Sequence, residues 1–132
     1  MTMVVDTSAL AAVVLGEPDA EAMAAAMRRA AGDLAISAAT LVEAHIVVEA
    51  RQGLEAGADL KALLDHFGVK TVPVDDDQAQ AALAAWRRFG RGHHLASLNL
   101  GDCFSYALAK VNAAPLLFKG DDFTQTDISA AL

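Results

Sequence analysis

The chain has 132 residues, of which 55% are hydrophobic, and it carries one cysteine and a formal net charge of -7. This composition excludes a disordered chain and an internal disulfide framework, and the acidic balance argues against a protein that coats nucleic acid by bulk charge. Two roles remain for the acidic residues, namely contact with a basic partner protein or the binding of a metal ion. The length fits a single domain that comprises residues 1–132.

Nothing in the sequence is typical of a membrane protein or of a secreted one. The apolar runs are too short to cross a bilayer. The N-terminal stretch MTMVVDTSAL lacks the positive region and the cleavage site of a signal peptide. The lone Cys103 is typical of a reducing compartment. We therefore expect a cytoplasmic protein that has no membrane partner.

The first elements along the chain are a short strand and two helices. The apolar run Met3–Val5 predicts a buried strand, and the stretch SALAAVVLG predicts a helix that ends at Gly16. Pro18 is expected at the first position of the next helix, because its fixed backbone angle suits that place. Gly32 is expected to end this second helix.

A second strand and two longer helices follow. Leu34–Ser37 predicts a strand, and Ser37 also fits as the N-cap of a long helix through SAATLVEAHIVVEARQG. A further helix covers LEAGADLKALLDHFG, and Val69–Val74 predicts the third strand.

The last third of the chain contains two helices, a loop and a strand. Asp75 and Gln78 resemble a capping box for a helix through DDDQAQAALAAWRRFG. The stretch RGHHLASLN is a loop, and LGDCFSYALAKVN predicts a helix that Pro115 keeps from continuing. PLLF predicts the last strand, and like MVV it is apolar enough to lie inside a sheet.

The alternation of short apolar strands with helices predicts an α/β fold with a central, mostly parallel sheet between two helical layers. In such folds ligands bind beyond the carboxyl ends of the strands. The first strand delivers Asp6 and Ser8 to this edge, and the last strand delivers Asp121 and Asp122. The sequence therefore predicts that acidic side chains converge at one edge of the sheet.

Two further acids stand in apolar surroundings. Glu43 interrupts a helix that is apolar on nearly every side, and a bare buried carboxylate costs several kcal/mol. Asp102 lies in the first turn of another largely apolar helix. Both are candidates for the same acidic cluster.

Each acid also has a structural explanation. Asp6 fits as an N-cap, and Asp121 and Asp122 fit as turn residues. Glu43 could lie on a solvated stripe, and Asp102 could serve only the helix dipole. The combination of positions, rather than any one residue, favours a functional site.

A convergence of carboxylates would have a definite chemistry. Two carboxylates about 4 Å apart repel by roughly 4 kcal/mol at an effective dielectric constant of about 20, so a cluster must take up protons or bind a cation. Oxygen ligands select hard ions such as Mg²⁺ or Mn²⁺, which assist phosphodiester hydrolysis. The sequence contains no zinc-ligand spacing, no phosphate-binding glycine loop and no G-x-S-x-G elbow.

Four motifs in this order resemble PIN-domain ribonucleases, and most closely the VapC-type toxins of bacterial toxin–antitoxin (VapBC) pairs. They are VVDTSAL, ATLVEAHIVVEAR, LNLGDCFSYALAK and PLLFKGDDFTQTD, and together they span nearly the whole chain. The resemblance implies a PIN-like three-layer α/β/α fold. It also implies an endoribonuclease toxin that hydrolyses RNA phosphodiester bonds with Mg²⁺ or Mn²⁺ as its cofactor.

The resemblance assigns roles to the four acids and to a few neighbours. The implied catalytic residues, which are also the implied metal ligands, are Asp6, Glu43, Asp102 and Asp122. Asp122 is preferred to Asp121 because the family keeps its acid just before the phenylalanine of this turn, which leaves Asp121 a secondary candidate. Ser8 matches a hydroxyl residue near the metal and is also a secondary candidate.

A loop before the fourth motif is a candidate for substrate binding. The stretch GRGHHLASLN is similar to a family loop, and the similarity implies that Arg91 and His94 contact RNA phosphate. A role for His94 in anchoring the loop is the alternative.

The resemblance also implies partners. They are an RNA substrate such as tRNA or rRNA, a basic VapB-type antitoxin, and a second copy of the chain in a homodimer. Contact with DNA would be indirect, through the antitoxin. The negative net charge suits a basic antitoxin tail whose arginine enters the acidic cleft and displaces the metal.

Other functions remain as alternatives. One is a PIN nuclease of RNA processing, which shares the site but not the antitoxin. Another is a receiver-type signalling domain, which would bind Mg²⁺ without catalysis but needs adjacent acids after the first strand. A haloacid-dehalogenase-like phosphatase needs D-x-D at the same place, where this chain has Asp6, Thr7 and Ser8.

Overall fold

Four short parallel strands form the centre of the protein. The computed structural model describes residues 3–132, and it places the strands in the order β3-β2-β1-β4. Their bounds are Met3–Val5 for β1, Leu34–Ser37 for β2, Lys70–Val72 for β3 and Leu116–Leu117 for β4. Every pairing is parallel, as in Met3 with Leu34 and Val5 with Leu117. The predicted α/β fold with a parallel sheet is confirmed.

Six helices connect the strands within the described residues. Their bounds are Thr7–Val14 for α1, Ala20–Arg29 for α2, Ala38–Gln52 for α3, Leu54–His66 for α4, Asp76–Phe89 for α5 and Leu100–Val111 for α6. No helix of residues 3–132 is long and apolar enough to cross a membrane.

The helices cover both faces of the sheet, and each face has its own core. Alternating side chains of a strand point to opposite faces. On β1, Val5 packs into a core with α1, α2, α3 and α4, whereas Val4 packs into a second core with α5 and α6. On β4, Leu117 and Leu116 divide in the same way. The result is the three-layer arrangement that the sequence predicts.

Four side chains among the described residues cap the beginnings of helices, and Asn99 does so for α6. Asp6 accepts a hydrogen bond from the Ser8 amide, and Ser37 accepts one from the Ala39 amide. Asp75 accepts one from the Gln78 amide. These caps satisfy amide groups that a helix leaves free at its first turn. The cap predicted at Ser37 is therefore confirmed, and at Asp75 the structure shows the N-cap half of the predicted capping box.

The structure corrects three predicted boundaries. Pro18 lies in the turn before α2 rather than at its first position, and α2 ends at Arg29, before the turn that contains Gly32. Strand β3 is shorter than the predicted Val69–Val74, because Pro73 has no amide to donate to the ladder.

Strand β4 lies at one end of the strand order rather than within it. Its two leucines are nevertheless fully buried. The stretch 129–131 lies along its outer side, because the Leu116 amide donates to the Ser129 carbonyl and the Ala131 amide donates to the Leu116 carbonyl, both at 2.9 Å. This segment, which has no predicted strand character, pairs the outer backbone of β4, while the two leucine side chains pack into the two cores.

Candidate active site

Asp6 lies where β1 ends and α1 begins, and it is 3% exposed. Its Oδ2 accepts hydrogen bonds from the Ser8 hydroxyl at 2.7 Å and from the Ser8 amide at 3.1 Å. Its Oδ1 accepts one from the Ser105 hydroxyl at 2.6 Å. Asp6 is therefore both the predicted N-cap of α1 and one of the acids of the site.

Ser105 was not among the residues that the sequence pointed to. It lies on α6, is completely buried, and its hydroxyl is 3.1 Å from that of Thr40 on α3. The two hydroxyls form a polar contact beneath Asp6, where β1, α3 and α6 meet. The only signal in the sequence is a hydroxyl residue within the apolar helix LGDCFSYALAK.

Glu43 on α3 is held from two sides. The Thr7 hydroxyl donates to its Oε1 at 2.5 Å. On the other side lies Gly101 in the first turn of α6, and a Cβ at Gly101 would fall on the Glu43 carboxylate. The solvated stripe predicted as an alternative exists nearby, since His45 and Glu49 pair with each other at 3.3 Å, but Glu43 faces the site.

Asp102 combines helix capping with a strongly perturbed charge. It forms a complete capping box with Asn99, in which the Asn99 amide donates to its Oδ2 at 3.1 Å and its own amide donates to Asn99 Oδ1 at 2.9 Å. Burial, helped by the charges of Asp6, Asp122 and Glu43, raises the pKa of Asp102 to about 7, against the lowering effect of the Asn99 hydrogen bond. The charges of the three other acids therefore act together on Asp102.

The turn after β4 brings Asp122 to the site. Gly120 adopts a φ of 93°, a left-handed conformation that glycine takes without strain. Phe123 is buried in the core beside α5 and α6, so the turn is anchored directly after Asp122. The Asp121 carbonyl accepts a hydrogen bond from the Thr124 hydroxyl, and Asp121 is not among the residues that line the cleft.

These residues line one cleft of about 440 Å³. Its walls include all four of the predicted acids together with Ser8, whose hydroxyl accepts a hydrogen bond from the Lys119 amide at 3.0 Å. Through Ser8 the backbone beyond β4 is connected to Asp6 at the end of β1. The predicted convergence at one edge of the sheet is what the geometry shows.

The donor set suits a hard divalent cation, although the side chains do not yet surround a single point. Among the described residues, no three His, Cys, Asp or Glu side chains stand close enough to one another to hold a metal ion as they are placed. Rotation of the carboxylates about their side-chain bonds is therefore required for them to share an ion. The like charges that raise the pKa of Asp102 are the kind of repulsion that a cation relieves.

The loop residues Arg91 and His94 are not among the residues that line the acidic cleft. His94 Nδ1 accepts a hydrogen bond from the Ala96 amide at 3.0 Å, and its ring lies edge-on to Phe89 at 5.1 Å. These contacts are those of a residue that anchors its own loop, which is the alternative that the sequence left open.

Comparison with known proteins identifies a family. A family model described as the PIN domain matches residues 3–129. A protein named Ribonuclease VapC from Mycolicibacterium smegmatis is 51% identical over 130 residues, which cover 97% of this chain and 98% of that protein. Ribonuclease VapC30 from Mycobacterium tuberculosis is 50% identical over 127 residues, with 96% of each chain covered. The family expected from the four motifs is confirmed.

Solved structures share the fold at low sequence identity. VapC20 from Mycobacterium tuberculosis, described as a toxin that cleaves the sarcin-ricin loop, superposes with a TM-score of 0.80 at 18% identity and covers 96% of each chain. A toxin–antitoxin complex from Klebsiella pneumoniae contains a chain with a TM-score of 0.73 at 17% identity, covering 99% of this chain and 98% of that one.

Proposed function

The chain belongs to the PIN-domain family, and we propose that it is a VapC-type endoribonuclease toxin that hydrolyses RNA phosphodiester bonds in the cytoplasm. The observation that carries the proposal is the single cleft onto which four acids converge from the end of β1, from α3, from α6 and from the turn after β4. The likeness to ribonucleases over nearly the whole chain supports the reaction. We take all 132 residues as one domain.

We propose Mg²⁺ or Mn²⁺ as the cofactor, with Asp6, Glu43, Asp102 and Asp122 as its ligands. When bound, such an ion makes water more acidic and stabilises negative charge on the phosphoryl oxygens. Two features support a hard divalent ion, namely a donor set made of oxygen atoms and the burial of Asp102 among like charges.

The side chains around these acids orient them. The hydroxyls of Ser8 and Ser105 fix the two oxygens of Asp6, and the Thr7 hydroxyl fixes Glu43. In the reaction a water oxygen attacks the phosphorus atom, and the bond to the leaving oxygen breaks, while that oxygen takes up a proton. Hydroxyl groups that hold Asp6 and Glu43 within the cleft limit the movement that these two acids must make to share an ion.

A basic VapB-type antitoxin is the proposed inhibitor, and contact with DNA would occur only through it. The acidic cleft and the net charge of -7 support a basic partner segment whose arginine enters among the carboxylates. Inhibition that stays complete after the basic tail of the antitoxin is deleted would rule out this mode.

We also propose a homodimer. The exposed apolar side chains Val42 and Ile46 on α3 and Leu100 on α6 support association, because they lie beside one another along one apolar hollow. Light scattering of the purified chain would show the dimer mass, and a monomer at all concentrations would contradict it.

Cleavage of a mixed pool of tRNA and rRNA by the purified chain tests the proposed function. We expect cleavage with Mg²⁺ or Mn²⁺, none with EDTA, and none with Asp102→Asn. A folded wild-type chain that cuts no RNA with either ion would overturn the proposal. Mapping of the fragments would then identify the target, and a target confined to rRNA precursors would favour a role in RNA processing.

A further inference from the structure

Two cations lie on the wall of the acidic cleft, and the reaction described above gives them no role. Within the described part of the chain, the residues that line this cleft include Lys119 and Arg51 as its basic side chains. Lys119 lies two residues after the end of β4, and Arg51 lies in the last turn of α3. Both face the space that the four acids face.

Lys119 is close to the acids through its own backbone. Its amide donates to the Ser8 hydroxyl at 3.0 Å, and that hydroxyl donates to Asp6 Oδ2 at 2.7 Å. The Lys119 backbone therefore lies close to Asp6, and its side chain extends along the wall of the cleft. Its ammonium group lies 3.0 Å from Glu17 and 3.1 Å from Asp19.

Arg51 marks the far end of the same cleft. Residues 43, 47 and 51 recur every fourth position on α3, so Glu43 and Arg51 share one face of this helix and both line the cleft. Eight residues of helix correspond to about 12 Å. A phosphate held by Arg51 would therefore belong to a nucleotide beyond the one that lies at the acids.

Glu17 holds the two cations side by side. One of its carboxylate oxygens lies 3.0 Å from the Lys119 ammonium, and the other lies 3.8 Å from the Arg51 guanidinium. The Arg51 side chain is 64% exposed, and an exposed ion pair of this length adds little to stability. Stability of the fold therefore does not explain why Arg51 stands at the cleft.

A substrate with one negative charge per nucleotide does explain it. The four carboxylates repel such a chain, and contacts from Lys and Arg to phosphate oxygens are the usual means of positioning nucleic acid. We propose that Lys119 and Arg51 form a phosphate-binding rim, which holds the backbone of single-stranded RNA on the nucleotides next to the cleaved bond. This inference rests on the proposed ribonuclease function and names where its substrate binds.

The test measures RNA binding in the non-cleaving Asp102→Asn background, with a fluorescent single-stranded RNA and anisotropy as the readout. The salt concentration is varied between about 50 and 200 mM. One lost phosphate contact reduces the slope of log K against log salt by about 0.7, which corresponds to roughly fivefold weaker binding near 0.1 M salt. We expect this loss for Lys119→Gln and again for Arg51→Gln, and we expect Lys119→Arg to restore most of it.

Two controls separate phosphate binding from a structural ion pair. Lys61→Gln removes an exposed cation that pairs with Asp65 within α4 at 2.9 Å, and it should leave the slope unchanged. Glu17→Gln breaks the pairs that Glu17 forms with Lys119 and with Arg51, but it keeps both cations and the pair between Lys119 and Asp19. We expect it to bind RNA as tightly as the parent or more tightly, because it removes a negative charge from the cleft.

The outcomes distinguish this inference from the proposed function. Binding and slope that are unchanged in both rim variants, or a loss in Glu17→Gln equal to that in Lys119→Gln, would overturn the rim while the nuclease stands. If the Asp102→Asn parent binds no RNA and the wild type cuts none, both the phosphate-binding rim and the proposed nuclease function are wrong.

Discussion

Glu43 on α3 and Gly101 on α6 are in contact without a side chain between them. The Glu43 carboxylate occupies the position that a Cβ of residue 101 would take, and the Thr7 hydroxyl holds the carboxylate there. The backbone of one helix thereby sets the place of an acid that belongs to another. Glycine at 101 is a requirement of the site rather than of the helix.

Gly101→Ala should therefore lower activity without unfolding the protein. Alanine is favoured over glycine within a helix by about 1 kcal/mol, so α6 itself gains from the change. The displaced Glu43 carboxylate should reduce the cleavage rate by about tenfold to a hundredfold, the range expected when a reacting group is moved by about 1 Å. Cleavage rates and melting temperatures of the variant and the wild type provide the comparison.

A matched control is available on α4. A Cβ at Gly57 would meet the Glu49 carboxylate, so Gly57→Ala introduces a similar collision with an acid of α3 that does not line the cleft. We expect this variant to keep its activity. Equal rates for the wild type and both variants would contradict the role assigned to Gly101.

Metal binding should be visible as a change in stability, independently of catalysis. An ion that binds only the folded state at a hundred times its dissociation constant adds about 2.7 kcal/mol to the free energy of unfolding. Mn²⁺ or Mg²⁺ should therefore raise the melting temperature of the wild type, and Asp102→Asn should lose most of that increase. Asp59→Asn, which changes an exposed acid of α4, should keep it. An equal increase in all three proteins would place the ion elsewhere.

Asp127 should stabilise the protein in a pH-dependent manner. It accepts hydrogen bonds from the Tyr106 hydroxyl at 2.6 Å and from Lys110 at 2.7 Å. Burial alone would raise the pKa of Asp127, but the bonds from Lys110 and Tyr106 outweigh it, and the pKa is lowered. Because the folded state has the lower pKa, the stabilisation is present above about pH 4, the ordinary value, and is lost as the pH falls through the folded value.

Asp127→Asn should accordingly cost about 1–3 kcal/mol of unfolding free energy at neutral pH, and the difference from the wild type should shrink in acid. Urea denaturation at a series of pH values measures this. Asp65→Asn removes an exposed partner of Lys61 and should cost less than about 0.5 kcal/mol at every pH. A loss for Asp127→Asn that does not vary with pH would speak against the ionic explanation.

Cys103 should be unreactive in the folded protein. It is 2% exposed, and burial together with the nearby charge of Asp102 raises the pKa of its thiol to about 11. Thiolate is the reactive form of cysteine. Ellman's reagent should fail to label the native chain near neutral pH and should label it fully in concentrated guanidinium. Rapid labelling of the native chain would disprove the buried assignment.

The sequence was sufficient to predict the strands, the helices and the positions of the acids, because these follow from local patterns. Asp6 and Asp122 each follow an apolar strand, and parallel strands deliver their ends to one edge of the sheet. It could not reveal that Ser105 donates to Asp6, since the two residues are 99 positions apart. Gly101 was equally hidden, because its importance arises only where α3 and α6 meet.

The stretch 129–131 beside β4 affects whether the sheets of two copies of the chain can pair edge to edge. An unpaired outer strand is a template on which another chain can build, and proteins usually close or blunt such strands. Here the bonds between Leu116 and the stretch 129–131 close one edge, while the opposite edge is short, carries the exposed Lys70 and is followed by Pro73. Copies of the chain are therefore not expected to pair strand to strand, and the proposed homodimer would form through the side chains of the helices.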